Sequence, residues 1–191
     1  MSPIRTISSQ ILSDDYYLLK KVTFEIQRRD GTWAEMTREV YNRGNGCCIL
    51  LHDPVRKTVL LTKQFRYPAY VNGHPAPLIE VCAGLLDEHD PETAIVKEAM
   101  EECGVAVTNP RRVFDCFMSP GSVTEKLTCF VAAYSPAART GEGGGLAHEG
   151  EDIEVLELPF TEALAMVADG RICDAKTILL LQHAALIGLL A

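Results

Sequence analysis

Residues 84–105 read Gly-Leu-Leu-Asp-Glu-His-Asp-Pro-Glu-Thr-Ala-Ile-Val-Lys-Glu-Ala-Met-Glu-Glu-Cys-Gly-Val. The second half carries the marks of a helix. Asp90 is a good N-cap, and Pro91 falls at the first helical position, where its missing N–H would have no partner anyway. Glu92 suits the positive end of the helix dipole, and Gly104 supplies the stop. On that helix Glu98, Glu101 and Glu102 are spaced i, i+3, i+4, so their carboxylates share one face. Ile95, Val96, Ala99, Met100 and Cys103 form an apolar arc beside that face, not opposite it. The carboxylates are therefore expected at the edge of the core. Three like charges there repel and lose water, and a hard divalent cation is the natural remedy. A solvated acidic helix face would be commonplace; the ordered run of Gly, acidic loop, capped helix, Glu cluster and closing Gly sets this one apart.

Upstream, residues 78–82 form a short apolar strand that feeds directly into Ala83 and Gly84. A loop rich in Pro, Gly and Asn over 67–77 precedes it, after Gln64-Phe65-Arg66. Two apolar strands, 47–52 and 58–62, are joined by a turn at Asp53-Pro54, and Gly44-Asn45-Gly46 marks a break before them. Earlier still, Leu19, Val22, Phe24 and Ile26 alternate with polar residues, Arg29-Asp30-Gly31 makes a turn, and 33–41 returns as a second strand. This hairpin has too little apolar surface to stand alone, so it is expected to pack on the main domain or on a second copy. Downstream, strands are expected at 112–118, 127–134 and 153–158, a Gly-rich loop at 137–150, and helices at 159–169 and 174–190. Strands in mixed order with helices on either side predict an α/β/α sandwich with a mixed sheet, plus a small N-terminal antiparallel β sheet. The expected division is 1–43, a dimerising β region, and 44–191, the main domain.

A chain of 191 residues with 47% hydrophobic and 23% charged residues has the make-up of a soluble globular protein. Its net charge of -8 disfavours a sequence-independent nucleic-acid binder, which needs a basic stripe. Seven cysteines, an odd number without paired C-x-x-C spacing, fit free thiols in a reducing, cytoplasmic setting. No basic-then-apolar leader opens the sequence, and the apolar tail 178–191 is interrupted by Gln182 and His183 and is too short to span a bilayer. It reads as a docking helix, with no membrane partner expected.

Gly84, Lys97, Glu98, Ala99, Glu101, Glu102, Gly104 and Val105 together resemble the Nudix box of the Nudix hydrolase family. Two departures are visible: the interval between Gly84 and Glu98 is one residue shorter than usual, and Lys97 replaces an Arg. Further segments resemble the family's GDP-mannose pyrophosphatase branch, close to the ADP-ribose pyrophosphatases. These are Arg38-Glu39-Val40-Tyr41, Arg43-Gly44-Asn45-Gly46, Gln64-Phe65-Arg66, Val71-Asn72-Gly73, Gly143-Gly144-Gly145, the run 151–160, and Lys176-Thr177. The residues 119–125, Ser-Pro-Gly-Ser-Val-Thr-Glu, belong to the same pattern.

The resemblance implies the Nudix fold and a hydrolase of a diphosphate bond that uses Mg2+, or Mn2+ in its stead. Its substrate is then a nucleotide sugar, GDP-mannose, cleaved to GMP and mannose 1-phosphate. ADP-ribose hydrolysis and a non-catalytic nucleotide-binding regulator are the alternatives. Carried over by position, metal is expected on the Ala83 carbonyl, Glu98, Glu102 and Glu151. Substrate contacts are expected from Tyr16, Arg66, Ala83, Gly84, Leu85, Glu102, Glu125, Glu151 and Lys176. Gly150 stands where the branch has an acidic residue and is carried over with Glu151. Thr37, Arg38 and Glu39 would reach the site of a neighbouring subunit in a homodimer. Glu125, on a Gly-containing loop, has the chemistry of a general base, with Glu149 and Glu151 as rivals; His89 and His148 are read as loop histidines.

Overall fold

Eight residues in a row, all buried, form the strand that the larger sheet is built around, Gly46–Asp53. A run so uniformly buried, with both faces of the strand covered, is what an interior strand of an α/β sheet requires. The computed structural model describes residues 3–190. In chain order the strands are β1 (Ile4–Asp14), β2 (Leu18–Gln27), β3 (Trp33–Asn42), β4 (Gly46–Asp53) and β5 (Thr58–Gln64). Helix α1 (Tyr67–Val71) precedes β6 (Leu78–Glu80) and β7 (Cys82–Leu85), and α2 (Pro91–Cys103) follows. Strands β8 (Arg111–Phe117), β9 (Lys126–Ala133) and β10 (Glu154–Pro159) lead to helices α3 (Phe160–Ala168) and α4 (Ala175–Leu186).

The chain divides into two compact units. The first comprises Met1–Asn45 together with Phe117–Lys126, so residues 119–125, grouped by sequence with the main domain, cluster with the N-terminal sheet. Its sheet has the order β1-β2-β3, antiparallel throughout. The sequence reading places residues 4–14 in the β region 1–43 but gives them no strand of their own. The reason is local: β-bulges between Thr6 and Ser8 and between Ile11 and Ser13 break the alternation. Ile4, Ile7, Ile11 and Leu12 consequently follow no period of two, and every residue of β1 is exposed.

In the second unit the larger sheet runs β10-β5-β4-β9-β8. Strands β4 and β9 are parallel, with Cys48 beside Cys129, whereas β4 and β5 are antiparallel. Strands β4 and β5 pair only at one end, through Leu51 to Asp53. Beyond that they part: β7 pairs with the freed half of β4, and β6 with the freed half of β5. The stretch 78–82 expected as one strand is thus two, each with its own partner. The pleat sends Cys47, Ile49 and Leu51 to the face where Ile95, Ala99 and Cys103 of α2 pack with Phe130. Helices α3 and α4 lie against β5 and β4. The α/β/α layering and mixed sheet expected from the sequence are present.

Helix α2 has the predicted ends. Asp90 accepts hydrogen bonds from the Glu92 and Thr93 N–H groups, and Gly104 ends the helix in the left-handed region at φ 67°. Within the apolar arc, Ile95, Ala99 and Cys103 are buried as expected, but Met100 is 39% exposed. The buried stripe is displaced toward the carboxylates and takes in Glu102. Two other expectations shift: residues 67–77 contain the short helix α1, and the last helix stops at Leu186, with Asp174 as its N-cap. Ala191, the end of the expected tail, lies outside the described residues.

A candidate active site on the Glu-rich helix

Glu102 is the largest departure from ordinary burial in the second unit: it is 1% exposed, deep under the sheet edge where β7 meets α2. Its Oε2 accepts a hydrogen bond from the Ala83 N–H at 3.0 Å. Burial pushes its carboxyl up to about 8, against the lowering effect of hydrogen bonds from Cys82 and Ala83, and the charges of Glu98 and Glu151 push the same way. Glu98, one turn earlier, rises to about 7 through burial and the like charge of Glu101, partly countered by Lys97, with Glu151 and Glu149 adding to it. Five carboxylates from α2 and the loop before β10 therefore feel one another.

Gly84 explains how Glu98 fits. A Cβ at that position would lie 2.0 Å from Glu98 Oε1, so only glycine lets the β7 backbone pass beneath the carboxylate. The shortened interval between Gly84 and Glu98 therefore still brings the two together. It closes with Asp87 in the left-handed region, φ 46°, and a His89 N–H to Leu86 carbonyl bond of 2.8 Å. Lys97 does not reach toward the loop but pairs with Glu101 at 3.4 Å, one helical turn on.

The Gly-rich loop is folded against the end of α2. Gly144 and Gly145 donate their N–H groups to the Glu102 and Glu101 carbonyls, each at 3.0 Å, which supplies partners to carbonyls that a helix C-terminus leaves open. Gly143, Gly144 and Gly145 all have positive φ, and a Cβ on Gly145 would meet Glu151 Oε2 at 2.5 Å. Glu151 Oε2 in turn accepts from the Leu146 N–H at 2.8 Å. The triple glycine thus ties Glu151 to the helix that carries Glu98 and Glu102. Gly150 sits beside it at φ 79° with open space around its Cα.

All the candidate ligands are oxygens of carboxylates or of a main-chain carbonyl, a donor set that suits a hard cation such as Mg2+. Among the described residues, however, no three His, Cys, Asp or Glu side chains converge closely enough to hold a metal ion as they stand. The set fits in kind, with Glu102 and Glu151 each pinned by a backbone N–H. The nearby Cys47 thiol, pushed up to about 12 by burial and then by Glu98, stays protonated and offers no thiolate.

Arg66 and Lys176, distant in sequence, share one carboxylate. Arg66 Nε donates to Glu80 Oε2 at 2.8 Å, and Lys176 Nζ donates to Glu80 Oε1 and to Asp174 Oδ1. Glu80 is 3% exposed. Sequence reasoning passed over it, although a charged residue inside the apolar stretch Leu78-Ile79-Glu80-Val81-Cys82 is a signal, since Glu is almost never buried unless paired. The triple glycine carries no role in the sequence beyond its match to the motif. Leu85 pairs with Gly46 across β7 and β4.

The remaining candidates belong to the first unit. Tyr16 is 84% exposed, its ring edge-on to Tyr17 at 4.7 Å. On β3, Thr37 Oγ1 lies 3.1 Å from Thr23 Oγ1, Arg38 donates to the Thr37 carbonyl at 2.8 Å, and Glu39 pairs in register with Lys21. Glu125 lies 3.6 Å from the Arg43 guanidinium, and its loop is stitched to β3 by the Tyr41 N–H to Ser122 carbonyl bond of 2.8 Å. None of the seven cysteines forms a disulfide, and no described helix is long and apolar enough to cross a membrane.

Comparison with known proteins agrees with this geometry. Residues 3–41 match the GDP-mannose pyrophosphatase NudK N-terminal domain, and residues 42–183 match the NUDIX domain. A protein of Pectobacterium atrosepticum named GDP-mannose pyrophosphatase is 52% identical over 188 residues, 98% of this chain and 96% of its own. Proteins of the same name from Cronobacter sakazakii and Klebsiella pneumoniae are 49% and 50% identical, each over 98% of this chain and over 97% and 94% of theirs. With its capped glutamate helix, the glycine beneath Glu98 and a domain match across most of its length, the chain belongs to the Nudix hydrolases and acts on a diphosphate bond.

Proposed function

We propose that the chain is a Mg2+-dependent nucleotide-sugar pyrophosphatase that hydrolyses GDP-mannose to GMP and mannose 1-phosphate. The buried carboxylate pair, Glu98 and Glu102, carries this assignment. Once ionised, a pair lifted to about 7 and about 8 by burial and like charge is unfavourable for the fold unless a cation neutralises it. The substrate is argued from relatives near 50% identity over almost the whole chain whose name is GDP-mannose pyrophosphatase.

Glu98, Glu102, Glu151 and the Ala83 carbonyl would hold the metal. When bound, it supplies charge neutralisation of the diphosphate and a template for in-line attack by water. The chain's own residues do the rest. The Ala83 and Leu146 N–H groups fix Glu102 and Glu151, so those carboxylates need little rearrangement. Arg66 and Lys176 present N–H donors suited to phosphate oxygens. Gly84 and Leu85 line the strand beside Glu98, and Gly150 with Glu151 contacts the sugar end. One of Glu125, Glu149 and Glu151 accepts the proton of the attacking water. A homodimer places Tyr16, Thr37, Arg38 and Glu39 at substrate sites, the last three from the neighbouring copy. This assignment includes a cytoplasmic setting and no nucleic-acid or membrane partner.

The test is to incubate the protein with GDP-mannose, other nucleotide sugars and ADP-ribose, with Mg2+, with Mn2+ or in chelator, and to separate the products. GMP and mannose 1-phosphate are expected from GDP-mannose with Mg2+. Preferential release of AMP from ADP-ribose would transfer the assignment to that substrate, and no turnover of any diphosphate would refute it.

A further inference from the structure

Two basic side chains meet one buried carboxylate of the second unit from different elements: Arg66 follows β5, and Lys176 stands on the first turn of α4. Side-chain exposure is 41% for Arg66, 12% for Lys176 and 4% for Glu80 between them. Each oxygen of Glu80 accepts from one of the two cations. Asp174 supports the arrangement from the other side. Its Oδ1 accepts from Lys176 at 3.0 Å, while Oδ2 accepts from Thr177 N–H and from Thr177 Oγ1 at 3.0 and 2.6 Å. Thr177 Oγ1 in turn accepts from the Val81 N–H at 2.8 Å, which pins α4 to the residue next to Glu80. The Glu80 carbonyl is itself held by Thr62 Oγ1 at 3.2 Å. Both ends of the arrangement are thus fixed to the sheet.

The donors left over are informative. Of the Arg66 guanidinium only Nε is used among the described residues, so the two terminal nitrogens remain, on a side chain that reaches solvent. Lys176 uses two of its three N–H groups. The charge of Glu102 acts on Arg66, which ties the paired cations electrostatically to the glutamate helix. As a stability device the arrangement is poor, because a buried ion network is commonly no better than apolar residues of the same volume. As a means of holding two cations side by side it is effective, since both oxygens of one rigid carboxylate set their separation.

We propose that Glu80 is a positioning residue for diphosphate recognition: it clamps Arg66 and Lys176 so that their remaining N–H groups face the substrate's phosphates together. This rests on the functional reading above. Glu80 touches no substrate and acts only through the two cations.

Glu80→Gln keeps the shape and one acceptor but leaves the half-exposed Arg66 and the nearly buried Lys176 sharing too little negative charge. In the Mg2+-loaded enzyme the KM for GDP-mannose should rise about tenfold to a hundredfold, the loss of one or two charge-assisted contacts. The kcat and the Mg2+ concentration for half-activation should be largely kept. Affinity for GDP, which carries the same diphosphate, should weaken by the same factor. In the Arg66→Ala, Lys176→Ala background Glu80→Gln should have no further effect on either quantity, whereas a purely structural role would add its full loss. Unchanged KM and GDP affinity, or additive losses in that background, would overturn the proposal. If Glu80→Gln does not fold, Glu80→Asp serves in the same cycle: its carboxylate is one methylene short of spanning both cations, so KM should rise, and an unchanged KM overturns the clamp. Wild-type protein that binds GDP without turning over any diphosphate would refute the enzymatic reading, and GDP affinity alone would then decide the clamp.

Discussion

Replacing Glu102 by Gln should make the metal-free protein more stable at high pH while it destroys activity. Glu102 is 1% exposed, and its carboxyl stands at about 8 in the folded chain against an ordinary 4.5. The folded state therefore holds this proton more tightly than the unfolded state does. The stabilising contribution is complete below about 4.5 and is lost as pH rises through about 8, where the buried group must ionise. At about 1.4 kcal/mol for each pH step between those limits, the loss is on the order of 5 kcal/mol. For a chain of this size that corresponds to a fall in Tm on the order of 10 °C. Gln cannot ionise, and its oxygen can still accept from the Ala83 N–H. In chelator, calorimetric melts of wild type and Glu102→Gln should coincide near pH 5 and diverge toward pH 9, with the variant higher. A shallower decline should persist in the variant, because Glu98 titrates near 7. Added Mg2+ should raise wild type at pH 8 far more than the variant. Parallel pH profiles in chelator, or a variant less stable than wild type at pH 9, would refute the burial argument.

Turnover should vanish in chelator and in Glu102→Gln, and chelator-resistant turnover at the full rate would remove the cation from the reaction. Gly84→Ala, whose Cβ would fall 2.0 Å from Glu98 Oε1, should raise the Mg2+ requirement about tenfold or more with little change in Tm, since the backbone there is unstrained; isothermal titration with Mg2+ checks it directly. Among Glu125→Gln, Glu149→Gln and Glu151→Gln, loss of a metal ligand should be partly offset by higher Mg2+, and loss of a pure general base should not; near wild-type kcat in all three would mean the base lies elsewhere. Co-refolding Arg38→Ala with Glu102→Gln should restore up to about half of the sites in each heterodimer if Arg38 acts across subunits, and no recovery despite proven exchange would confine Arg38 to its own chain.

Local signals carried far in this molecule because the decisive stretch is continuous. Helix α2 could be bounded to the residue, since Asp90 and Gly104 act on their own neighbours through hydrogen bonding and backbone freedom. The i, i+3, i+4 spacing likewise sufficed to put Glu98, Glu101 and Glu102 on one face. Where local rules failed, a distant partner had intervened. Strand β1 carries two bulges that only its pairing with β2 reveals, and Met100 is exposed because the stripe that β4 covers is centred closer to Glu102.

What the sequence by itself determined was the glutamate helix, the mixed α/β class and the family, all of which depend on residues close together or on patterns repeated along the chain. Tertiary structure alone decided which carboxylates are costly and which cations are shared. Glu98 and Glu102 differ in burial because β7 lies against one side of α2, and Gly145 matters because Glu151 folds back upon it. Glu80, Arg66 and Lys176 meet only because β6 pairs with β5 and α4 is pinned to Val81. Desolvation and charge pairing depend on distance in space, and the separation of 110 positions between Arg66 and Lys176 (176 minus 66) contains no trace of it.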